Sequence, residues 1–213
     1  MFILENNDSI GNQFLAELRD VTVQNDRLRF RKNLERLGEI LAYEISKSFP
    51  YKELGIQTPL AKTSVRIPSV NPVVYSVLRA SLPFYQGFLN FFDKAESGFI
   101  GAFREEGERD VKINLDYHAS PNVEGKTIIL ADPMLATGKS IVRSIESILT
   151  HGLPEIIHIA AIIASPEGIK YINEHLKTPH KIWIGALDQS LNDQSFIVPG
   201  LGDAGDLAFG EKL

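Results

Sequence analysis

Short apolar runs alternate with segments of helical periodicity along most of the chain, and this alternation limits the possible folds most strongly. The runs VVYSVL at 73–78 and TIIL at 127–130 are typical of strands covered on both faces of a sheet. Residues 139–149 instead place Ile141, Ile145 and Ile148 on one helical stripe. Alternating strands and helices predict an α/β domain with a largely parallel sheet.

The remaining pattern predicts an arm and a loop beside this sheet. Strands at 51–58 and 62–67 flank a Thr-Pro turn and predict a hairpin arm. The stretch EEGERD at 105–110 is charged and centred on a glycine, which predicts a mobile loop. Further helices are predicted at 25–49, 82–92 and 166–176, and further strands at 98–103, 112–117, 156–163 and 182–187.

Composition excludes several classes of protein. The 213 residues suit one domain with an appendage, and the absence of cysteine rules out disulfides and thiolate sites. A net charge of -5 argues against nucleic-acid binding, so the basic run RLRFRK at 27–32 is predicted to be a solvated helix face. The first ten residues lack a basic region, and no stretch approaches the roughly 20 apolar residues of a membrane span. We therefore expect a cytoplasmic protein without membrane contact.

The stretch DPMLATGKS at 132–140 ends like a nucleotide-binding P-loop. That motif requires GxxxxGK[ST], and Pro133 stands where its first glycine belongs. Proline has no backbone N–H to donate and has a fixed φ. The P-loop interpretation therefore fails at this residue.

The local chemistry of the stretch still suits a phosphate. A strand ends at Asp132, and a turn with Thr137 and Gly138 opens a helix, whose free N–H groups can hold a phosphate monoester. Asp132 can accept hydrogen bonds from sugar hydroxyls, although a capped strand–helix turn explains the same pattern. Ligands of such sheets bind beyond the carboxyl ends of the strands, where Arg79, Arg104 and Asp188 are also expected.

The sequence TIILADPMLATGKS resembles the motif with which phosphoribosyltransferases bind 5-phosphoribosyl 1-pyrophosphate (PRPP). Its DPMLATG form resembles the uracil phosphoribosyltransferase family in particular. The resemblance extends in the family's order over most of the chain. It includes segments at 30–44, 78–80 (LRA), 166–169 (PEGI), 188–192 (DQSLN) and 199–210 (PGLGDAGDLAFG).

The resemblance implies an α/β phosphoribosyltransferase fold, in which helices flank a parallel sheet, with a hairpin arm and a C-terminal hood over the base site. It implies a single domain over 1–213. The N-terminal helix and arm would occupy about 1–70, the PRPP-binding core about 71–187 and the hood about 188–213.

The resemblance also implies roles for individual residues. Asp132 would bind the ribose hydroxyls, while Arg79 and Arg104 would contact the pyrophosphate of PRPP, although a surface ion pair is the alternative for each arginine. With Asp203, these three residues form the implied catalytic set. The implied PRPP site comprises Arg79, Arg104, Asp132, Pro133, Met134, Leu135, Ala136, Thr137, Gly138, Lys139, Ser140 and Asp203.

The C-terminal stretch would bind the base. Backbone groups near Ile197, Gly202 and Ala204 would pair with uracil, and Asp203 would link that pocket to PRPP. The implied reaction converts uracil and PRPP to UMP and pyrophosphate without a protein nucleophile. Mg²⁺ would be held mainly by PRPP, since substrate phosphates and water commonly supply its oxygen ligands. The five histidines show no metal-ligand spacing and are predicted to be ordinary surface or partly buried residues. The resemblance also suggests a homodimer or larger homo-oligomer and a possible GTP activator.

Four departures from the family pattern leave alternatives open. Lys139 and Ser81 replace glycines, Phe196 replaces a common tyrosine, and the loop after Arg104 differs. If position 81 requires a positive φ, a serine there is expected to be strained. The alternatives are a weakened enzyme that acts as a nucleotide sensor, and an enzyme for another base.

Overall fold

The computed structural model describes residues 1–104 and 113–211, with side chains described outside 102–116. Eight strands of these residues form one sheet: β1 (Phe2–Ile3), β4 (Val73–Leu78), β5 (Glu96–Arg104), β6 (Ile113–Ala119), β7 (Thr127–Ala131), β8 (Met134–Leu135), β9 (Ile156–Ala164) and β10 (His180–Leu187). Their order is β1-β10-β9-β7-β4-β5-β6, with β8 also paired to β9. Every pair in this sheet is parallel except β5 with β6.

Helices cover both faces of this sheet and create two apolar cores. Along β7, Ile129 faces the first core, whereas Ile128 and Leu130 face the second. The first core contains side chains of α1 (Ile10–Arg19), α2 (Arg27–Ser46), α3 (Leu82–Leu89) and α6 (Ala204–Phe209), and the second those of α4 (Lys139–Leu149) and α5 (Pro166–His175). The prediction of an α/β fold with a largely parallel sheet is confirmed.

The long helix α2 buries the apolar stripe from which it was predicted. Leu34, Leu37, Leu41 and Ile45 are fully buried along one stripe, in keeping with their helical spacing. The Asp26 carboxylate accepts hydrogen bonds from the backbone N–H groups of residues 28 and 29. This cap begins the helix two residues later than the predicted start at 25.

The predicted arm is present as β2 (Tyr51–Gln57) paired antiparallel with β3 (Lys62–Pro68). Nearly all its residues are exposed, and the strands pair only with each other. A hydrogen bond of 2.9 Å from the Ser69 N–H to the Pro50 carbonyl closes its base. The arm therefore extends from the body and covers little of either core.

Several elements differ from the sequence-based expectation. The pattern did not predict α1, α6 or the two-residue strands β1 and β8, and it placed no strand in antiparallel orientation beside β5. The predicted loop at 105–110 lies outside the described residues. No helix in the described part of the chain is long and apolar enough to cross a membrane.

Candidate active site

The carboxyl ends of the parallel strands bring four predicted residues to one edge of the sheet. Arg79 follows β4 and Asp132 follows β7, and these strands are neighbours through the pairing of Ser76 with Ala131. Arg104 ends β5, the other neighbour of β4, although its side chain lies outside the described part. Asp188 follows β10, further along the same edge.

The loop after β7 is held by Ser165, which sequence reasoning did not single out. The Ser165 N–H donates to the Leu135 carbonyl at 3.0 Å, and its hydroxyl donates to the Ala136 carbonyl at 2.6 Å. The Pro133 carbonyl accepts from two N–H groups of β9. These bonds give the carbonyls of Pro133, Leu135 and Ala136 partners within the protein.

The same loop leaves amide donors for an anion. Gly138 has a φ of 73° and caps α4 at its N-terminus. Within the described residues, the N–H groups of Thr137, Gly138 and Ser140 donate to no backbone carbonyl. Because the N-terminus of a helix also carries positive partial charge, this turn suits a phosphate.

Asp132 is partly buried beside that turn. Its Oδ1 accepts a hydrogen bond of 3.2 Å from the Met134 N–H, and its own N–H donates to the Ala160 carbonyl. These bonds fix the start of the loop. The carboxylate therefore stands at the first residue of the loop whose other end carries the amide donors.

Arg79 reaches from β4 to the C-terminal segment. It follows a cis peptide bond at Leu78–Arg79, and its Nη2 donates to Asp206 Oδ1 at 3.2 Å. Its Nε is buried and has no partner within the described structure. A buried donor without an acceptor is uncommon, and an oxygen of an anionic ligand would satisfy it.

The C-terminal segment forms a small hood from β11 (Ser190–Leu191), β12 (Ile197–Val198) and α6. Gly200 has a φ of 65°, and a Cβ there would lie 2.1 Å from the Ile197 carbonyl oxygen. Asp203 caps α6, since its Oδ1 accepts from the Gly205 and Asp206 N–H groups at 2.7 and 3.0 Å. Asp203 thus fixes the turn that begins α6.

A buried ion pair, absent from the sequence analysis, holds this hood to the N-terminal helix. Arg19 Nη2 lies 2.7 Å from Asp188 Oδ1. The two residues are 169 positions apart, so no local pattern connects them.

Comparison with known proteins places the chain in a family. A model of the uracil phosphoribosyltransferase family matches residues 7–211. The chain belongs to this family. Proteins named uracil phosphoribosyltransferase are 48% identical over 206 residues in Porphyromonas gingivalis, covering 96% of this chain and 95% of the relative, and 38% identical over 205 residues in Pyrococcus furiosus, covering 94% and 86%.

A solved structure extends the likeness to the whole fold. A protein from Aquifex aeolicus superimposes with a TM-score of 0.85 at 31% identity, covering 96% of both chains. The likeness to this solved structure therefore extends over nearly the whole chain.

The departures from the uracil phosphoribosyltransferase pattern have different structural consequences. Ser81 has a φ of -75°, so the condition under which strain was expected at this position is not met. Its buried hydroxyl donates to the Val77 carbonyl at 2.6 Å. Lys139 begins α4 with a partly exposed side chain, and Phe196 is 41% exposed.

The basic residues of the run at 27–32 are mostly exposed, in keeping with the predicted solvated helix face. Arg29 pairs with Glu17 at 2.7 Å, and Lys32 pairs with Glu35. Arg31 is only partly exposed and donates to the Ala208 carbonyl at 2.7 Å, near the C-terminal end of α6. Arg31 therefore helps to attach the hood, a contact that the sequence did not predict.

Proposed function

We propose that this protein transfers the 5-phosphoribosyl group from PRPP to uracil, giving UMP and pyrophosphate. The observation that carries the proposal is the loop at 132–140. In a member of this family, it begins with the Asp132 carboxylate, which the Met134 N–H holds, and ends with amide donors at the N-terminus of α4. That pairing of donors and acceptor matches a sugar phosphate.

The 5-phosphate is assigned to the turn from Met134 to Ser140. Backbone N–H groups supply hydrogen bonds there without the charge of a side chain, and the α4 dipole favours the anion. The hydroxyls of Thr137 and Ser140 and the Lys139 ammonium lie on the same turn. Pro133 anchors the loop, because its carbonyl accepts hydrogen bonds from two N–H groups of β9.

The ribose and pyrophosphate are assigned to the neighbouring strand ends. Asp132 accepts hydrogen bonds from the ribose hydroxyls. Arg79 offers its unpartnered Nε to a pyrophosphate oxygen, and Arg104 ends the adjacent strand. Arginine suits both positions because its planar group can bind two phosphate oxygens at once.

The base is assigned to backbone groups of the hood near Ile197, Gly202 and Ala204. Uracil presents an acceptor where cytosine presents a donor, so a pocket built for one leaves a buried group unpaired with the other. Asp203 joins this pocket to the PRPP site through the turn that it caps.

The transfer to uracil depends on the positioning of both substrates more than on a reactive side chain. The bond from C1′ of the ribose to a pyrophosphate oxygen breaks, N1 of uracil bonds to C1′, and the N1 proton of uracil passes to the departing pyrophosphate or to water. Positive charge develops on the ribose, and the Asp132 carboxylate beside it stabilises that charge. Much of the remaining rate enhancement comes from holding the two substrates in line.

Mg²⁺ is proposed to enter with PRPP. Among the described residues no group of three or more His, Asp or Glu side chains could hold a metal ion. The ligands of the ion would be mainly substrate oxygens and water, with Asp132 as the nearby carboxylate. When bound, Mg²⁺ neutralises charge on the leaving pyrophosphate.

Three further properties are proposed from the family resemblance. They are assembly into a homodimer or larger homo-oligomer, activation by GTP and a cytoplasmic location, the last of which rests also on the sequence pattern of the N-terminus. Light scattering of the purified protein tests the assembly, and adding GTP to the assay tests the activation. The sensor alternative loses part of its motivation, because Ser81 is unstrained.

The deciding experiment is pyrophosphate release with PRPP, Mg²⁺ and each of uracil, cytosine, thymine, hypoxanthine and orotate. Turnover with uracil alone is expected, and Asp132→Asn should lower it by at least about tenfold through lost ribose contacts. Preference for another base would contradict the assignment of the hood. No pyrophosphate release with any base, with and without GTP, would favour the sensor alternative, provided that UMP still binds.

A further inference from the structure

A closed set of hydrogen bonds joins the last residue of α1 to the base loop of the hood, residues 197–204. Arg19 donates to both carboxylate oxygens of Asp188, at 2.7 and 3.0 Å, and to the Gly200 carbonyl at 3.1 Å. Asp188 accepts in turn from the Gly200 N–H at 2.9 Å. Both backbone polar groups of Gly200 are therefore fixed by this one ion pair.

The position of Gly200 matters because of what lies on either side of it. Its backbone packs against the Ile197 carbonyl, and Gly202 follows two residues later, so the predicted contacts to uracil flank it. A second bond ties the same loop down, since Gln24 Nε2 donates to the carbonyls of Leu18 and Leu201. The end of α1 thus sets the course of the loop backbone.

The ion pair between Arg19 and Asp188 is largely shielded from solvent. Asp188 is only 6% exposed, and the Arg19 side chain is 23% exposed. A buried carboxylate that loses its partner carries a large desolvation penalty, and the surrounding backbone moves to relieve it. Loss of Arg19 should therefore displace Gly200 and, with it, the groups that face the base.

We propose that Arg19 is a positioning residue for base recognition, which acts through Asp188 and Gly200 without touching the base. The inference rests on the proposed function. According to this proposal, α1 controls the affinity for uracil and the discrimination against cytosine, although it lies far from the phosphate loop in sequence. The PRPP contacts at 132–140 belong to a different loop and are expected to be insensitive to Arg19.

The test compares Arg19→Met with Arg29→Met. Arg29 of α2 forms a bidentate pair with Glu17 of α1, and among the described residues no hydrogen bond or ion pair joins it to the hood, so its removal controls for loss of an arginine. For Arg19→Met, we expect the KM for uracil to rise about tenfold, with kcat and the KM for PRPP within about threefold of wild type. The preference for uracil over cytosine should fall as well.

Hydrogen exchange supplies a readout independent of turnover. Amides of residues 197–204 should exchange faster in Arg19→Met than in wild type or Arg29→Met, while amides of α4 remain unchanged. Arg19→Lys keeps a positive charge but cannot form the three-bond arrangement, so an intermediate KM for uracil is expected. This milder variant also serves if Arg19→Met does not fold.

The possible failures are distinguishable. If wild type and Arg29→Met turn over uracil while both Arg19 variants keep the wild-type KM for uracil and wild-type exchange at 197–204, the inference is wrong and the proposed function stands. An equal rise in the KM for uracil and for PRPP would also overturn it, since that indicates general destabilisation. If wild type turns over no uracil, the proposed function fails, and this inference fails with it.

Discussion

At Gly138 the chain turns from the phosphate loop into α4 under two separate constraints. Its φ of 73° is a conformation that side chains with a Cβ disfavour, and an added Cβ would lie 2.6 Å from the Gly168 carbonyl oxygen of α5. Gly125 has a similar φ of 65°, but a Cβ added there would meet nothing within 4 Å. A substitution at Gly125 therefore tests backbone strain alone, whereas one at Gly138 tests strain together with close packing.

Replacement of these glycines by alanine should have unequal effects. Gly125→Ala is expected to lower the free energy of unfolding by about 1–2 kcal/mol, from the left-handed conformation alone, with turnover unchanged. Gly138→Ala should cost more and lower kcat/KM for PRPP at least about tenfold, because α4 and its amide donors must shift. Urea unfolding and initial rates measure both, and equal losses in the two variants would contradict the role of the α5 contact.

His158 is a second residue whose chemistry follows from its surroundings. It is buried in β9, and its Nδ1 accepts a hydrogen bond of 3.0 Å from the Trp183 indole. An imidazole that accepts at Nδ1 is neutral. Burial, and secondarily the charge of Lys181, lowers the pKa of His158 from 6.5 to about 4.

This lowered pKa predicts a loss of stability in mild acid. Between pH 6.5 and about 4 the unfolded chain binds a proton at His158 that the folded protein does not, so stability falls as the pH falls through this window. The free energy of unfolding should drop by about 2 kcal/mol between pH 8 and pH 5 from this residue. Urea unfolding at several pH values should show a shallower dependence in His158→Gln, which keeps an acceptor for the indole.

His118 provides an internal reference for that comparison. Burial and the charge of His151 lower its pKa, and it titrates in both proteins. The difference between wild type and His158→Gln therefore reports His158 alone. Identical pH dependence in the two proteins would show that His158 is not held neutral in the folded state.

At the scale of elements, α2 and α3 pack through glycines. A Cβ at Gly38 would lie 2.2 Å from the Phe84 carbonyl oxygen, and one at Gly87 would lie 2.2 Å from the Glu35 carbonyl oxygen. Glycine inside a helix usually costs about 0.5–1 kcal/mol relative to alanine. Here it allows the two backbones to approach closely on the first core.

Gly87→Ala should therefore destabilise the protein despite the better helix propensity of alanine. We expect a loss of about 2–3 kcal/mol, because the obstacle is the backbone of the neighbouring helix, which cannot move aside locally. Gly11→Ala in α1 is the control: its Cβ would meet the flexible end of the Leu4 side chain, and a change below about 1 kcal/mol is expected. Thermal unfolding decides the matter, and a stabilised Gly87→Ala would refute the packing argument.

For the whole molecule, the two cores and the arm contribute unequally to stability. The sheet buries side chains from both faces, whereas the arm leaves most of β2 and β3 exposed and is closed at its base by Ser69 and Pro50. An element that buries little apolar surface contributes little to the free energy of folding.

Replacing residues 53–66 with a short Gly-Ser linker should leave the body folded. We expect the free energy of unfolding to change by less than about 1 kcal/mol, since the shortened connection still joins α2 to β4. Urea unfolding of the monomer at low protein concentration measures this, with the far-ultraviolet spectrum as a check on the sheet. A cooperative loss of structure on removal of the arm would show that it is part of the folding unit.

Local pattern was sufficient for much of this architecture. The apolar runs at 73–78 and 127–130 and the stripe on α4 predicted strands and helices close to their observed positions, because burial on a sheet or helix leaves a periodic trace in the sequence. The turn at 137–140 was recognisable because Gly138 opens a helix after a buried strand. The short helix α6 left no such trace, since its six residues form around the Asp203 cap.

The sequence by itself determined the alternation of strands and helices, the phosphate-type loop and the family, all of which depend on residues adjacent in the chain or on motifs in fixed order. Only the tertiary structure decided which strand lay antiparallel, which carbonyls Ser165 would hold, and that Arg19 would meet Asp188. These contacts join residues far apart in sequence. Their existence depends on the packing of whole elements against one another, which no local periodicity encodes.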